Sequence, residues 1–462
     1  MRSPFAAIAV LLSVLASSLS AIELNIDDDA SVRNVASTIA YGMVKYYTGN
    51  VTNTPETLGV LPGPYYWWQS GAMWGLLLDY YHYTGDSQYN NITTQALLSQ
   101  VGPDYDYMVP MYAKSEGNDD QAFWGFATMS AAEKDYPQPT IGNYSWVQLT
   151  ENLWNTQVRR WDMTQCNGGL KWQIFSFNNG YNYKNSVSNG AFFQLSARLA
   201  RFTGNQTYAD WAHKAYNWTS DLGLIDDGYH VFDGADDRTN CTKFDKIIWT
   251  YNNAIFMYGS AMMYNYTNGS ALWADRTQGF LNASMNFFSP FKNSTNIMYE
   301  PPCETVNTCN TDQFSFKGYL SRFMWSTSLV APFTVNSITM LLRASSQAAA
   351  ASCSGGTDGV TCGMRWYVGG WDGKYGVGQQ MSALETIQGL LSSKSVPPLH
   401  GRQVHLRAST SETPSAAPLP TKTETASPTI SKKSAATSSL SQISKRLLLG
   451  VTGVLLGSML MV

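Results

Sequence analysis

Charge is scarce in this sequence. Only 14% of its 462 residues are Asp, Glu, Lys or Arg, and the net charge is −3. Such a chain offers no basic face to a nucleic-acid backbone, so nucleic-acid binding is not expected. Histidine is scarcer still, with five copies. No Cys-x-x-Cys spacing with histidines nearby occurs, which argues against a zinc site, and no nucleotide-binding motif is found. Neither metal nor cofactor is therefore expected. The six cysteines, an even number, suit an oxidising compartment. Cys303 with Cys309 and Cys353 with Cys362 are near enough to pair locally, which would leave Cys166 with Cys241. Six cysteines allow many other pairings.

Long apolar runs are confined to the two ends. Arg2, then "FAAIAVLLSVLA", then Ser18-Leu19-Ser20 before Ala21 form the pattern of an export signal over residues 1–20. Residues 447–462, "LLLGVTGVLLGSMLMV", follow a polar spacer and the small residues "SAAT" that begin at Ser434. Small site, spacer and apolar tail match a glycosylphosphatidylinositol (GPI) signal. Attachment is expected at Ser434 with 435–462 removed, which places the protein on the outer face of the plasma membrane or in the cell wall. Asn-x-Ser/Thr sequons at Asn50, Asn91, Asn143, Asn205, Asn217, Asn240, Asn265, Asn268, Asn282 and Asn293 fit that route.

Between the ends, aromatic residues are abundant: 27 Tyr, 15 Trp and 19 Phe. A core does not need so many amphipathic rings, and neutral ligands with apolar faces, such as sugars, use them. From residue 394 to 434 the chain turns Ser/Thr/Pro-rich without apolar period, the composition of an O-glycosylated stalk. Residues 21–393 remain as the globular domain.

That domain repeats itself. "WWQSGAMWGLLLDYYHYTGD" (67–86), "VSNGAFFQLSARLARFTGN" (187–205) and "TYNNAIFMYGSAMMYNYTNG" (250–269) are nearly all-round apolar helices that close on a glycine C-cap. Looser copies begin at Asp119, Phe314 and Gly376. Amphipathic segments alternate with them: 31–48, 88–100, 144–162, 206–221, 270–288 and 333–351. An all-round apolar helix is buried and an amphipathic one faces water. Six alternations predict an all-α fold, a six-fold α/α barrel with an inner and an outer ring. An open solenoid is the alternative, but no polar capping repeat is evident.

Loops entering the inner helices gather at one end of such a barrel. There, in "SEGNDDQAFWGFATMSAAE" (115–133), stand Asp119 and Asp120. Asn118 and Gln121 suggest a loose capping box around them. Acidic residues at a helix start also complement the dipole, the plain structural reading of this pair. Glycoside cleavage, however, needs one ionised and one protonated carboxyl, and two adjacent acids raise each other's pKa. Their Cα atoms are about 3.8 Å apart. Carboxyls so placed easily reach the ~5 Å of a retaining pair, whereas an inverting pair needs about 6.5 Å or more. Trp68, Gln69, Trp124, Asn189, Tyr251, Asn252, Lys317, Trp371 and Asp372 lie at or near inner-helix starts and are candidate substrate contacts. His82, His213 and His230 are scattered and expected to be structural.

"EGNDDQAFWGFATMSAAE", "NGAFFQLSARLARFTGN", "WTYNNAIFMYGSAMM" and "FSFKGYLSRFM" resemble, in order, segments of the family-76 glycoside hydrolases, the α-1,6-mannanases. The ends make the chain most similar to the fungal GPI-anchored members that act in cell-wall assembly. One departure is Asn253-Ala254, where relatives often carry Gln-Gly. The resemblance implies retaining chemistry with Asp119 as nucleophile and Asp120 as acid/base. It also implies transfer of an α-mannose-containing GPI glycan to wall β-glucan. Plain endo-α-1,6-mannanase hydrolysis is the second expectation, and a sugar-binding surface protein without turnover the third.

Overall fold

The computed structural model describes residues 22–401 and 403. The export signal, Ser434, the apolar tail and most of the stalk lie outside the described residues.

Twelve helices of ten or more residues occur among them: α1 Asp29–Val44, α2 Trp67–Thr84, α3 Asn90–Ser99, α4 Asn118–Glu133, α5 Trp146–Arg159, α6 Ser186–Thr203, α7 Gln206–Leu222, α8 Thr250–Tyr266, α9 Ala271–Ala283, α10 Phe316–Val330, α11 Val335–Ser352 and α12 Val377–Gln388. The even-numbered helices pack in sequence, α2 on α4, α4 on α6, and so on to α10 on α12. Contact between α12 and α2 then closes the ring. Each odd-numbered helix packs outside it, α1 against α12 and α2, α3 against α2, α5 against α4 and α6. The predicted barrel is therefore closed.

Burial follows the sequence pattern. Every residue of α12 is buried and all of α6 but its last, whereas α7 buries only Tyr208, Ala209, Ala212, Ala215, Tyr216, Trp218 and Thr219, one face at helical spacing. Gly85 and Gly204 end α2 and α6 with φ of 76° and 74°, the left-handed region where glycine carries no Cβ penalty.

Three features depart from the sequence pattern. A small antiparallel sheet, β1 Tyr183–Asn185, β2 Phe232–Asp236 and β3 Phe244–Ile248, stands over the ring at the start of α6 and α8. A second pair, β4 Cys353–Gly355 and β5 Thr361–Cys362, closes the turn after α11. The packed chain also runs past the compositional boundary at 393: Arg201 donates to the carbonyls of Pro398 and Leu399, and Leu399 N–H to Glu133 O at 2.7 Å. Leu399, at the end of the short apolar run Val396-Pro397-Pro398-Leu399, is buried there.

Disulfides join Cys166–Cys241, Cys303–Cys309 and Cys353–Cys362. All ten sequon asparagines are exposed. No helix among the described residues is long and apolar enough to cross a membrane, and no group of three or more metal-ligating side chains occurs among them.

Candidate active site

Helix α4 begins one residue earlier than the capping pattern suggested. Its N-cap is Gly117, and Asn118 is the first helical residue. Asn118 spends its side chain on Lys171 O, at 2.8 Å, and Gln121 donates to Asp106 O at 2.7 Å, so neither closes a box. Asp120 makes the one half of a box that a glycine N-cap permits: its Oδ2 accepts the Gly117 N–H at 2.7 Å. The neighbouring chain is locked in place as Asn118 N–H donates to Trp172 O at 2.8 Å. Asp119 Oδ2 accepts from Asn185 Nδ2 at 3.3 Å, and Asn185 also caps α6 through Ser188 N–H. Two consecutive inner helices thus converge on the pair.

Both carboxyls border a cavity of about 280 Å³. Its walls are Trp68 of α2, Phe123 of α4, Trp172, Tyr183, Asn185, Asp233, Asp245 and Trp249 of the sheet region, and Tyr251, Asp312 and Phe316. Tyr251 stacks flat on Phe316, with centroids 3.9 Å apart. Asp233 Oδ2 accepts the Tyr183 hydroxyl at 2.7 Å. The lining holds five aspartates and no Lys, Arg or His. A second lobe of about 580 Å³ shares Trp68, Asp120, Trp172 and Asp312, and adds Tyr65, Tyr66, Trp67, Tyr112 and Glu116. Asp119 borders the first lobe alone, whereas Asp120 borders both.

Electrostatics follow from burial without a cation. Burial, then the charge of Asp120, pushes Asp119 well above the ordinary carboxylate range. Burial raises Asp120 to about 6; the Gly117 N–H pulls it down and the Asp312 charge pushes it up. Glu116, behind Asp120, is raised by burial and by the Asp120 charge. Burial and mutual repulsion therefore favour a proton held between the two carboxyls toward neutrality.

Of the residues expected at the mouth, Asp119, Asp120, Trp68 and Tyr251 meet in the cavity. The others do not line it. Gln69 caps α2, accepting from Tyr66 N–H and donating to Thr311 O, each at 3.0 Å. Trp124 is buried in a stack with Trp67 and Tyr107. Asn189 staples Leu170 through both its backbone groups. Asn252 is buried. Lys317 is buried against Glu304, at 3.1 Å, and Met364 O. Trp371 covers Gly355. Asp372 accepts backbone N–H groups of Met364, Arg365 and Lys374. Side chains near a helix start point in all directions and only the axis-facing ones reach the cavity, while Trp371 and Asp372 stand in the loop before α12. His82, His213 and His230 lie elsewhere.

Sequence reasoning missed Trp172, Tyr183, Asn185, Asp233, Asp245, Trp249, Asp312 and Phe316. For all but Phe316, which opens α10, the signal was loop length: 160–185, 223–249 and 284–315 are long connections for a compact helical domain, and such loops are commonly functional. The other adjacent aspartates serve turns and ion pairs. Asp28 caps α1, Asp226 binds His230, Asp236 binds Arg238, and Asp237 pairs with Lys171.

A closed ring of helix pairs whose mouth joins adjacent carboxyls to aromatic walls defines a carbohydrate-cleaving enzyme. This chain belongs to glycosyl hydrolase family 76, whose profile matches residues 31–402. It is 48% identical over 395 residues to the mannan endo-1,6-alpha-mannosidase DCW1 of Candida glabrata, covering 85% of this chain and 87% of that one. To the protein of the same name in Saccharomyces cerevisiae it is 49% identical over 369 residues, covering 79% and 80%. Among solved structures it resembles Dfg5 of Chaetomium thermophilum in complex with glucosamine, at 40% identity and a TM-score of 0.78, over 82% and 94% of the two chains. It shares its fold with an inactive double Asp→Asn variant of the α-1,6-mannanase GH76A of Salegentibacter sp. HEL1_6 in complex with α-1,6-mannotriose (TM-score 0.62, 19% identity, 78% and 99% covered).

Proposed function

We propose that this protein is a retaining α-mannoside-active enzyme. It transfers the glycosyl part of an α-mannose-containing GPI glycan to cell-wall β-glucan while anchored by lipid at Ser434 to the outer face of the membrane. The observation that carries the chemistry is the adjacent Asp119–Asp120 pair at the junction of two aromatic lobes. A nucleophile need only reach the anomeric carbon, and Asp119 borders one lobe. An acid/base must reach the oxygen between two sugars, and Asp120 borders both. A Cβ built on Gly117 would collide with Asp119 Oδ1 and lie 3.2 Å from Asp120 Oδ2. The two oxygens flank one point, so the carboxyls are a few ångströms apart, which suits retention (about 5 Å) rather than inversion (about 6.5 Å or more).

In the first step Asp119 bonds to the anomeric carbon as the glycosidic C–O bond breaks, and the Asp120 proton goes to the departing oxygen. In the second, Asp120 takes the proton of an acceptor hydroxyl, whose oxygen displaces Asp119. Positive charge developing at the anomeric carbon favours ionised Asp119, which leaves the pair's proton to Asp120. The mannosidase names of the relatives support the donor class. An amino sugar, as in the Chaetomium complex, suits a lining of five carboxyls without a basic side chain.

Product analysis tests the reading. An α-1,6-manno-oligosaccharide or GPI-glycan donor, given with and without a β-glucan oligosaccharide, should yield a transfer product of unchanged anomeric configuration. Release of free sugar alone would make the enzyme a hydrolase, and no turnover would leave a binding protein. For the anchor, phosphatidylinositol-specific phospholipase should release the protein from membranes. Mature protein that still carries residues 447–462 would refute lipid attachment.

A further inference from the structure

Gly117 stands before α4 with φ −89° and ψ 163°, an extended conformation open to any L-residue. Backbone conformation therefore does not call for glycine here, but space does. An added Cβ would overlap Asp119 Oδ1, and would lie 3.1 Å from Trp172 O and 3.2 Å from Asp120 Oδ2. The Trp172 carbonyl cannot yield, because it accepts from Asn118 N–H at 2.8 Å and the next residue, Gln173, bridges to Gly117. The Asp119 carboxyl would have to move. Gly117 meanwhile donates its N–H to Asp120 Oδ2 at 2.7 Å. One residue thus touches both carboxyls, Asp120 through its amide and Asp119 through the volume it leaves empty.

We propose that Gly117 is a positioning residue for the double displacement, its missing side chain letting Asp119 fold back against the backbone while its N–H fixes Asp120. The inference rests on Asp119 being the nucleophile. Alanine at 117 keeps the backbone and the N–H to Asp120, but drives the Asp119 oxygen from its place. A shift of about 1 Å in a reacting group lowers a rate by roughly 10²-fold.

A double-mutant comparison in the full chain tests this, with α-mannosyl fluoride as donor. Gly117→Ala should lower kcat about 30-fold or more, with KM changed less than about threefold. In Asp119→Ala, azide replaces the carboxylate: its nitrogen bonds to the anomeric carbon as fluoride leaves. Adding Gly117→Ala to that background should change the azide-dependent rate less than about twofold, because no carboxylate remains to be displaced. Equal losses in both backgrounds would overturn the positioning role and show a general packing defect. If Gly117→Ala folds only when Asp119 is also alanine, the collision is the cause and the proposal stands; failure to fold in both backgrounds overturns it. Azide that does not rescue Asp119→Ala instead removes the nucleophile assignment itself, a separate failure.

Discussion

The two ends of the inner helices bury carboxylates in opposite ways. Near their C-terminal ends, Asp79 contacts Lys134 and lies 2.8 Å from Arg322, and Glu133 lies 2.7 Å from Arg198, while Glu385, 3.6 Å from the Arg322 that Asp79 already engages, is pushed up to about 8 by burial and the Asp79 charge. Burial pushes Asp79 up, but the Arg322 and Lys134 charges outweigh it and hold the carboxyl below its ordinary value. At the N-terminal ends Asp119, Asp120 and Asp312 are enclosed without a basic partner, and all three are raised. The same desolvation makes a staple where a cation compensates it and a proton store where none does. Stability belongs to the first end and chemistry to the second.

Asp119→Asn should have the largest effect on that contrast. The amide is a poor nucleophile, so turnover should fall by several orders of magnitude and trapping by a fluorosugar mannoside should vanish in intact-protein mass spectra. Its stability should move the other way. Because the folded pKa is raised, native Asp119 binds more protons than unfolded chain, and stability falls as pH rises above about 3.9. The variant escapes that loss, so its Tm relative to wild type should be higher at pH 7 than at pH 4. A label that survives on another residue would break the comparison.

At the other end, Asp79→Asn should lower stability by about 3–5 kcal/mol, since it leaves buried Arg322 and Lys134 without their carboxylate. Denaturant unfolding at pH 7 measures this. The sign with pH is the reverse of Asp119: a depressed folded pKa contributes stability above about 3.9, and that contribution is lost as pH falls through the folded value. The difference between Asp79→Asn and wild type should therefore shrink in acid. A constant difference would contradict the pairing.

Asp312→Asn should act more gently. It removes a negative neighbour from Asp120, so the pKa of the acid/base falls. The basic limb of kcat/KM against pH should move to lower pH by about one unit or less, and an upward move would refute the coupling. The smallest effect should come from Lys45→Ala, which breaks a partly exposed pair with Asp358. A change below about 1 kcal/mol, shrinking in salt, is expected from urea titrations.

The ring was legible because its cause is local. Apolar side chains all round α6 and one apolar stripe on α7 dictate inside and outside before any contact is made. Gly85 and Gly204 marked helix ends by the same local rule. Asp119 and Asp120 stood out because paired charge beside an apolar helix needs a reason. The cavity wall was not legible, because Asn185, Asp233 and Asp312 come from separate connections, and loop sequence fixes no direction without a partner surface.

Sequence by itself determined the alternation of buried and amphipathic helices, the adjacent carboxylates and the aromatic wealth. Only the tertiary structure decided which aromatics face a sugar-sized space and which, like Trp124, fill core. It also decided that Asp119 and Asp120 have no cation whereas Asp79 has two. The physical reason is that helix periodicity is a property of neighbours in the chain, while a pKa depends on charges and burial supplied by residues hundreds of positions away, as Arg322 is from Asp79.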